Sequence, residues 1–252
     1  MKFNRVKEIE KYILEHESAT LDDLCQVFGI SKNTIRRDVK LLADKGSVTK
    51  IYGGVAANDK NSLLSFFEER ITKNAAEKER IGLAAAGFVE DQDVIFVDSG
   101  TTTFQMLPHL KEKKGVTVIT NNLRALGVLL YMPSVNVIAM GGALIRKTSS
   151  FSGADTVATL QHYNITKCFM AATGVSIANG LTNSTMAEFE LKKAVIQRSG
   201  QVILLADVSK FDQSSLMTYC PLAGVHRVIT DRMPPESYVA FFQQNNTALT
   251  IA

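Results

Sequence analysis

The chain has 252 residues, room for a small domain and one full-sized α/β domain. Its 28 Lys and Arg stand against 25 Asp and Glu, for a net charge of +3. No apolar run approaches the roughly 20 residues a membrane helix needs, so no membrane-spanning helix and no membrane partner are expected. Cys25, Cys168 and Cys220 are odd in number and widely spaced. They form neither a metal pattern nor a disulfide framework, so no metal and no cofactor are expected, and a reducing cytoplasm is. Cys25 and Cys168 sit in apolar stretches and read as small core residues.

Residues 3–16 open directly as an amphipathic helix rather than a signal peptide, with Val6, Ile9 and Ile13 on its inner face. Thr20 to Phe28 predicts a second helix. Thr20 with Asp23 fits a capping box, and Leu21, Leu24 and Phe28 fit a buried stripe. Gly29-Ile30 is the turn. The third helix starts at Ser31, an N-cap residue type, and stops near Gly46. Ile35, Val39 and Leu42 recur at i, i+4 and i+7, while Lys32, Asn33, Arg36, Arg37 and Lys40 take the remaining surface. Two short helices about a glycine turn, the second bearing cations and amides near its start, form a helix-turn-helix signature. Val48 to Gly54 then alternates and ends in Gly-Gly, which predicts a β-ribbon wing with Lys50 near a phosphate.

From Ser31 to Tyr52 the bases are Lys32, Arg36, Arg37, Lys40, Lys45 and Lys50, and the acids Asp38 and Asp44. Six minus two is +4, more than the whole chain's +3, so the remainder is close to neutral. Double-stranded DNA is the partner such a face implies, because phosphate neutralisation dominates these affinities. Residues 1–56 thus read as a winged helix-turn-helix domain.

Residues 57–73 read as a linker, polar at first, in which Leu63, Leu64, Phe66 and Phe67 dock on one of the domains. A helix over 75–90 comes next, with Ile81, Ala84, Ala85 and Phe88 inward. Short apolar runs then alternate with helical segments: Val94–Val97, Val116–Ile119, Val135–Met140, Lys167–Ala171, Gln201–Ala206, Val225–Thr230 and a seventh at Ala248–Ile251. Near-continuous hydrophobicity is what strands buried on both faces require. Residues 74–252 are therefore expected to be an α/β domain with a mostly parallel sheet.

Polar residues succeed most of these runs. Asp98-Ser99-Gly100-Thr101-Thr102-Thr103 comes after the first, Thr120-Asn121-Asn122 after the second, Gly141-Gly142 after the third, Thr173-Gly174 after the fourth, and Asp207 with Ser209-Lys210 after the fifth. Ligands of open α/β sheets bind outside the carboxyl ends of strands, so five such ends point to a polar pocket. Ser99 to Thr103, entering a helix predicted from Phe104 to Leu110, makes an anion site of amides and hydroxyls, to which Lys210 adds charge. Asp98, Asn121 and Asp207 suit sugar hydroxyls, since carboxylates only accept hydrogen bonds. A phosphate beside a polyol fits both sets. The plainer reading is that Asp98 and Asp207 cap helices and Lys210 is solvated.

Both halves resemble the DeoR family of bacterial transcriptional regulators. The matching residues are S-K-N-T-I-R-R-D-V-K-L-L and K-I-Y-G-G-V at the front, then D-S-G-T-T-T, V-T-V-I-T-N-N, G-G, F-S-G, T-G-V, G-L-T and D-V-S-K-F in that order. The resemblance implies an effector domain similar to ribose-5-phosphate isomerase, and a repressor of a carbohydrate operon released or repositioned by a phosphorylated sugar. It implies that Ser31, Lys32, Asn33, Thr34, Arg36, Arg37 and Lys40, with Lys50 and Tyr52 of the wing, face DNA. It also implies that Asp98, Ser99, Gly100, Thr101, Thr102, Thr103, Asn121, Gly141, Gly142 and Lys210 line the effector pocket. A homo-oligomer, dimer or tetramer, is expected, since two-fold symmetry matches palindromic operators. The chain departs from the family pattern at Lys50, usually arginine, and at Asn122 and Asn179.

Two other readings compete. In one, the second domain is a sugar-phosphate isomerase-like enzyme with a DNA-binding appendage, and Glu188 or Glu190 is its base. Nothing resembles the isomerase's paired acidic loop or its Gly-rich lysine loop. In the other, the second domain only oligomerises, against which the polar strand ends argue.

Overall fold

The computed structural model describes residues 2–16, 18–45, 47–51, 53–57 and 62–252. Contacts divide the chain into two compact units, Met1–Phe66 and Phe67–Ala252.

The first unit contains α1 (Lys2–His16), β1 (Ser18–Thr20), α2 (Leu21–Phe28), α3 (Lys32–Asp44), β2 (Val48–Ile51) and β3 (Gly54–Ala57). Val6, Ile9 and Ile13 of α1 meet Leu24, Ile35, Val39 and Leu42 in one buried cluster. Burying each such aliphatic side chain contributes about 1.5–3 kcal/mol. The capping box forms as its spacing predicts: the Thr20 hydroxyl accepts from the Asp23 amide at 3.1 Å, and the Asp23 carboxylate accepts from the Thr20 amide at 3.2 Å. α2 ends at left-handed Gly29. Ser31 stands at the N-cap position of α3 without capping it; its hydroxyl bonds the Thr34 hydroxyl at 3.0 Å instead. The wing gains a strand. β1 pairs with β3, so the order is β1-β3-β2. Gly46 and Tyr52 fall outside the described residues.

α4 (Ser62–Thr72) occupies most of the stretch read from sequence as a linker. The side chains of Leu63, Leu64 and Phe66 lie outside the described set. Phe67 is buried and meets Phe104 edge-on, with centroids 5.8 Å apart. After it the chain forms α5 (Ala75–Ala86), β4 (Val94–Val97), α6 (Thr101–Phe104), β5 (Thr117–Thr120), α7 (Leu123–Leu129), β6 (Asn136–Ala139), β7 (Ala143–Ile145), β8 (Ser150–Ser152), α8 (Ala154–Leu160) and β9 (Ile165–Met170). Then come β10 (Gly174–Ser176), β11 (Gly180–Asn183), α9 (Met186–Gln197), β12 (Ser199–Leu205), β13 (Met217–Cys220), β14 (Arg227–Thr230), α10 (Glu236–Gln244) and β15 (Ala248–Ile251).

Among the described residues the central sheet has seven strands, ordered β15-β14-β12-β9-β4-β5-β6, and every neighbouring pair is parallel. Alternation along β4 feeds two cores. Ile95 and Val97 join Ile81 and Ala85 of α5, while Phe96 joins Leu191 and Val195 of α9 and Phe242 of α10. β6, at the edge, leaves Val137 39% exposed, unlike the central strands. The β7–β8 hairpin and the antiparallel sheet β10-β11-β13 have no counterpart in the sequence reading. The chain leaves β4 toward β5 and β6, then returns to β9 on β4's other side. Strand order therefore reverses between β4 and β9, the place where such sheets open a crevice.

Candidate functional site

Two concave surfaces, one in each unit, hold most of the residues that carry chemistry. In the first unit a groove of about 530 Å³ lies between α3 and the wing. Arg36, Arg37 and Lys40 line it from α3 and Lys50 from β2, together with the apolar Leu21, Val39 and Ile51. Helical spacing puts Arg36, Arg37 and Lys40 opposite the buried Ile35, Val39 and Leu42. Asp38 is not on this cationic face. It is 1% exposed, and one oxygen accepts from Arg5 Nε at 2.7 Å. The acid counted against α3 from sequence is thus turned inward, so the outer face is more positive than the tally suggests. Ser31 and Asn33 are exposed and Thr34 half-buried at the start of α3. Lys32 pairs with Asp22 at 2.6 Å, an exposed contact of little energetic weight.

In the second unit a cleft of about 120 Å³ opens at the carboxyl ends of β4, β9 and β12, three neighbours in the sheet. Ser99, Gly100, Thr101 and Thr102 come from the end of β4, Ala171 to Thr173 from β9, and Asp207, Ser209 and Lys210 from β12. Gly100 stands where any side chain would run into Ala171. The amides of the first turn of α6 have no acceptor within their helix.

Below this loop lies a buried polar network. Asp98 is 2% exposed and Lys192, from α9, 6%. One Asp98 oxygen accepts from Lys192 Nζ at 2.5 Å and from the Ala171 amide at 3.0 Å. Lys192 Nζ also donates to the Ala171 carbonyl at 2.7 Å and lies 5.0 Å from the centre of the Tyr219 ring. Two of the three ammonium protons are accounted for, while Lys192 also lines the cleft.

The other wall comes from the end of α4, the start of α5 and the corner between them: Arg70, Lys73, Asn74 and Lys78. Lys78 is buried and its Nζ donates to the Arg70 carbonyl. Burial pushes its pKa from 10.5 down to about 8; Asp207 opposes the shift, while Lys210, Arg70 and Lys73 add to it. Asn74, left-handed at φ 54°, donates to Asp207 at 3.1 Å. Asp207 also accepts from the Ser209 amide at 3.1 Å, so it is a cap as well as a wall. Its second oxygen is buried and, among the described residues, has no donor. Five cations thus surround two lining carboxylates, Asp207 and Glu188, which favours an anionic guest.

Some of the expected pocket residues are elsewhere. Thr103 supports the loop from beneath, its hydroxyl donating to the Asp98 carbonyl at 2.7 Å. Asn121 does not line the cleft: its amide donates to the Phe151 carbonyl at 2.9 Å, tying the β8 strand over the end of β5. Gly141 and Gly142, after β6, are also absent from the lining. The Gly141 carbonyl accepts from Thr156 at 2.6 Å, and Gly142, at φ 131°, has Thr156 and Ser152 where a side chain would stand. These are packing roles. Glu188 does line the cleft, and its carboxylate accepts from the Thr185 hydroxyl at 2.9 Å; Glu190 is exposed.

Both units match family models. The DeoR-like helix-turn-helix domain covers residues 5–61, and the DeoR C terminal sensor domain covers residues 73–232. The chain belongs to the DeoR family. It is 42% identical over 252 residues, all of both chains, to the HTH-type transcriptional regulator IolR of Bacillus subtilis (strain 168). It is 28% identical to the L-fucose operon activator of Haemophilus influenzae, over 94% of this chain and 95% of that one. Among solved structures, ribose 5-phosphate isomerase A from Methanocaldococcus jannaschii aligns over 55% of each chain, at 18% identity and TM-score 0.41.

In this DeoR-family chain the sequence reading missed five cleft residues: Arg70, Lys73, Asn74, Lys78 and Lys192. Arg70 and Lys73 were hidden by the reading of 57–73 as a linker. A signal was available. Glu188 and Lys192 stand four residues apart on α9, and polar residues at that period share one helix face; Arg70, Asn74 and Lys78 repeat the spacing, but left-handed Asn74 breaks the helix between them. Among the described residues no cluster of His, Cys, Asp or Glu is arranged to hold a metal, and no helix is long and apolar enough to cross a membrane.

Proposed function

We propose that this protein is a repressor of a carbohydrate-utilisation operon that grips operator DNA with its first unit and senses a phosphorylated sugar with its second. The cleft carries this reading. Lys210 is half-buried in it and, among the described residues, pairs with no carboxylate. Arg70, Lys73, Lys78 and Lys192 share the same space with the amides and hydroxyls of Ser99, Thr101 and Thr102. Such a set holds a phosphate, and Asp207 and Glu188 beside it suit sugar hydroxyls. The operon named for the Haemophilus relative, one for L-fucose, agrees with a sugar effector.

In the first unit Arg36, Arg37 and Lys40 enter the major groove, with Ser31, Lys32, Asn33 and Thr34 at the leading end of α3. Lys50, with Tyr52 beside it in the chain, takes a phosphate from the wing. Pairs of subunits set two such helices on palindromic half-sites. The effector shifts operator affinity only by the difference in its own affinity for the free and DNA-bound forms. Sensing rather than catalysis is favoured because Glu188 is engaged by Thr185 at the start of α9, in a helix-capping arrangement.

Incubation with a panel of sugar phosphates tests the reading. Stabilisation against heat without turnover, together with altered operator binding, is the expected result. Turnover of any member would make it an enzyme, and silence across a broad panel would leave a scaffold. Lys210→Ala is expected to keep operator binding and lose the effector response; a normal dose-response in that variant counts against the cleft.

A further inference from the structure

We propose that Lys78 is the positioning residue through which an anion in the cleft acts on α4, because the anion and the Arg70 carbonyl share its one ammonium group. The inference rests on the anion-site reading above and adds the route by which occupancy is felt.

α4 ends at Thr72 and α5 begins at Ala75, with left-handed Asn74 between them. The corner is stitched twice. Asn74 ties it to the end of β12 through Asp207, and Lys78 ties the first turn of α5 to a carbonyl in the last turn of α4. The second stitch is electrostatically poor while the cleft is empty of anions. Lys78 is 4% exposed, and it faces Arg70, Lys73 and Lys210 against the single carboxylate of Asp207. Three like charges and burial work against its charged form, as its lowered pKa reflects.

A phosphate among these four cations reverses the balance. It favours the ammonium, leaves one of its three protons for the Arg70 carbonyl, and offsets the repulsion that Arg70, Lys73 and Lys210 exert on Lys78. The last turn of α4 is then held more firmly. This helix also crosses the boundary between the two units, which falls between Phe66 and Phe67. A tightened corner is therefore applied to the segment of chain that leads to the DNA-binding unit.

Amide hydrogen exchange on the full chain tests this, comparing inorganic phosphate with chloride at matched ionic strength. In the wild type, phosphate is expected to slow exchange of the amides from Glu69 to Lys78 severalfold, because opening the corner then also breaks the contact between Lys78 and the Arg70 carbonyl. In Lys78→Met, phosphate is expected to bind more weakly yet still raise the melting temperature through Lys210 and the Ser99–Thr102 loop. The protection from Glu69 to Lys78 is expected to disappear. Lys78→Gln, which keeps a donor for Arg70 but no charge, is expected to behave like the methionine variant. Wild-type-like protection in either variant overturns the role of Lys78. So does phosphate binding to the wild type without protection of the corner, a measurement that needs no variant. If phosphate fails to stabilise the wild type at all, the anion site itself is refuted and this inference goes with it.

Discussion

Lys192→Met puts the buried network under the cleft to its hardest test. The substitution keeps most of the side-chain volume and removes the ammonium that faces Asp98 at 2.5 Å. Asp98, 2% exposed, would keep the Ala171 amide at 3.0 Å as the remaining donor to that oxygen among the described residues. The Ala171 carbonyl would keep the Tyr219 hydroxyl at 2.9 Å. Breaking a buried pair by deleting one partner typically costs about 3–5 kcal/mol, because the other charge is left uncompensated. For a unit the size of Phe67–Ala252, each kcal/mol lowers the melting temperature by about 2–4 °C, so the loss is about 6–20 °C. Asp98→Asn combined with Lys192→Met removes both charges and is expected to recover more than half of it. Calorimetry of the three proteins is the assay. A single variant that melts within about 2 °C of the wild type would refute the reasoning, as would a double variant no better than the single.

Arg36→Ala and Arg37→Ala are each expected to weaken operator binding by about 1–3 kcal/mol at physiological salt, read by fluorescence anisotropy, without changing the melting temperature. Gly100→Ala is expected to push the loop away from Ala171 and abolish stabilisation by phosphate while circular dichroism stays native. Affinity for phosphate is expected to fall as pH rises through about 8, where Lys78 loses its proton, and titration calorimetry on either side of that pH checks it. Stability of the free protein moves the opposite way. Between about 8 and 10.5 the unfolded chain holds the Lys78 proton and the folded one does not, so that lysine's contribution rises with pH.

Local chemistry was legible in the amino-acid order wherever it repeats within a few residues. The spacing of Ile35, Val39 and Leu42 sets which side of α3 is buried, and therefore which side carries Arg36, Arg37 and Lys40. Thr20 and Asp23 write their capping box in four residues. Seven apolar runs separated by helical segments admit few arrangements besides a parallel α/β sheet. The short antiparallel strands β10, β11 and β13 escaped because three or four residues carry too little alternation to register.

Which strand ends share a cleft is a different kind of fact. Five ends are polar in sequence, but only those of β4, β9 and β12 meet, because strand order places them side by side. β5 and β6 lie on the far side of β4, and β8 is tied to the end of β5 through Asn121. The charges obey the same logic. Asp38 finds Arg5 33 residues away, and Asp98 finds Lys192 94 residues away. Periodicity reports how a side chain faces its own helix or strand; only the packing of distant elements decides which charge it meets there, and so whether it is buried in a pair or left to face a ligand.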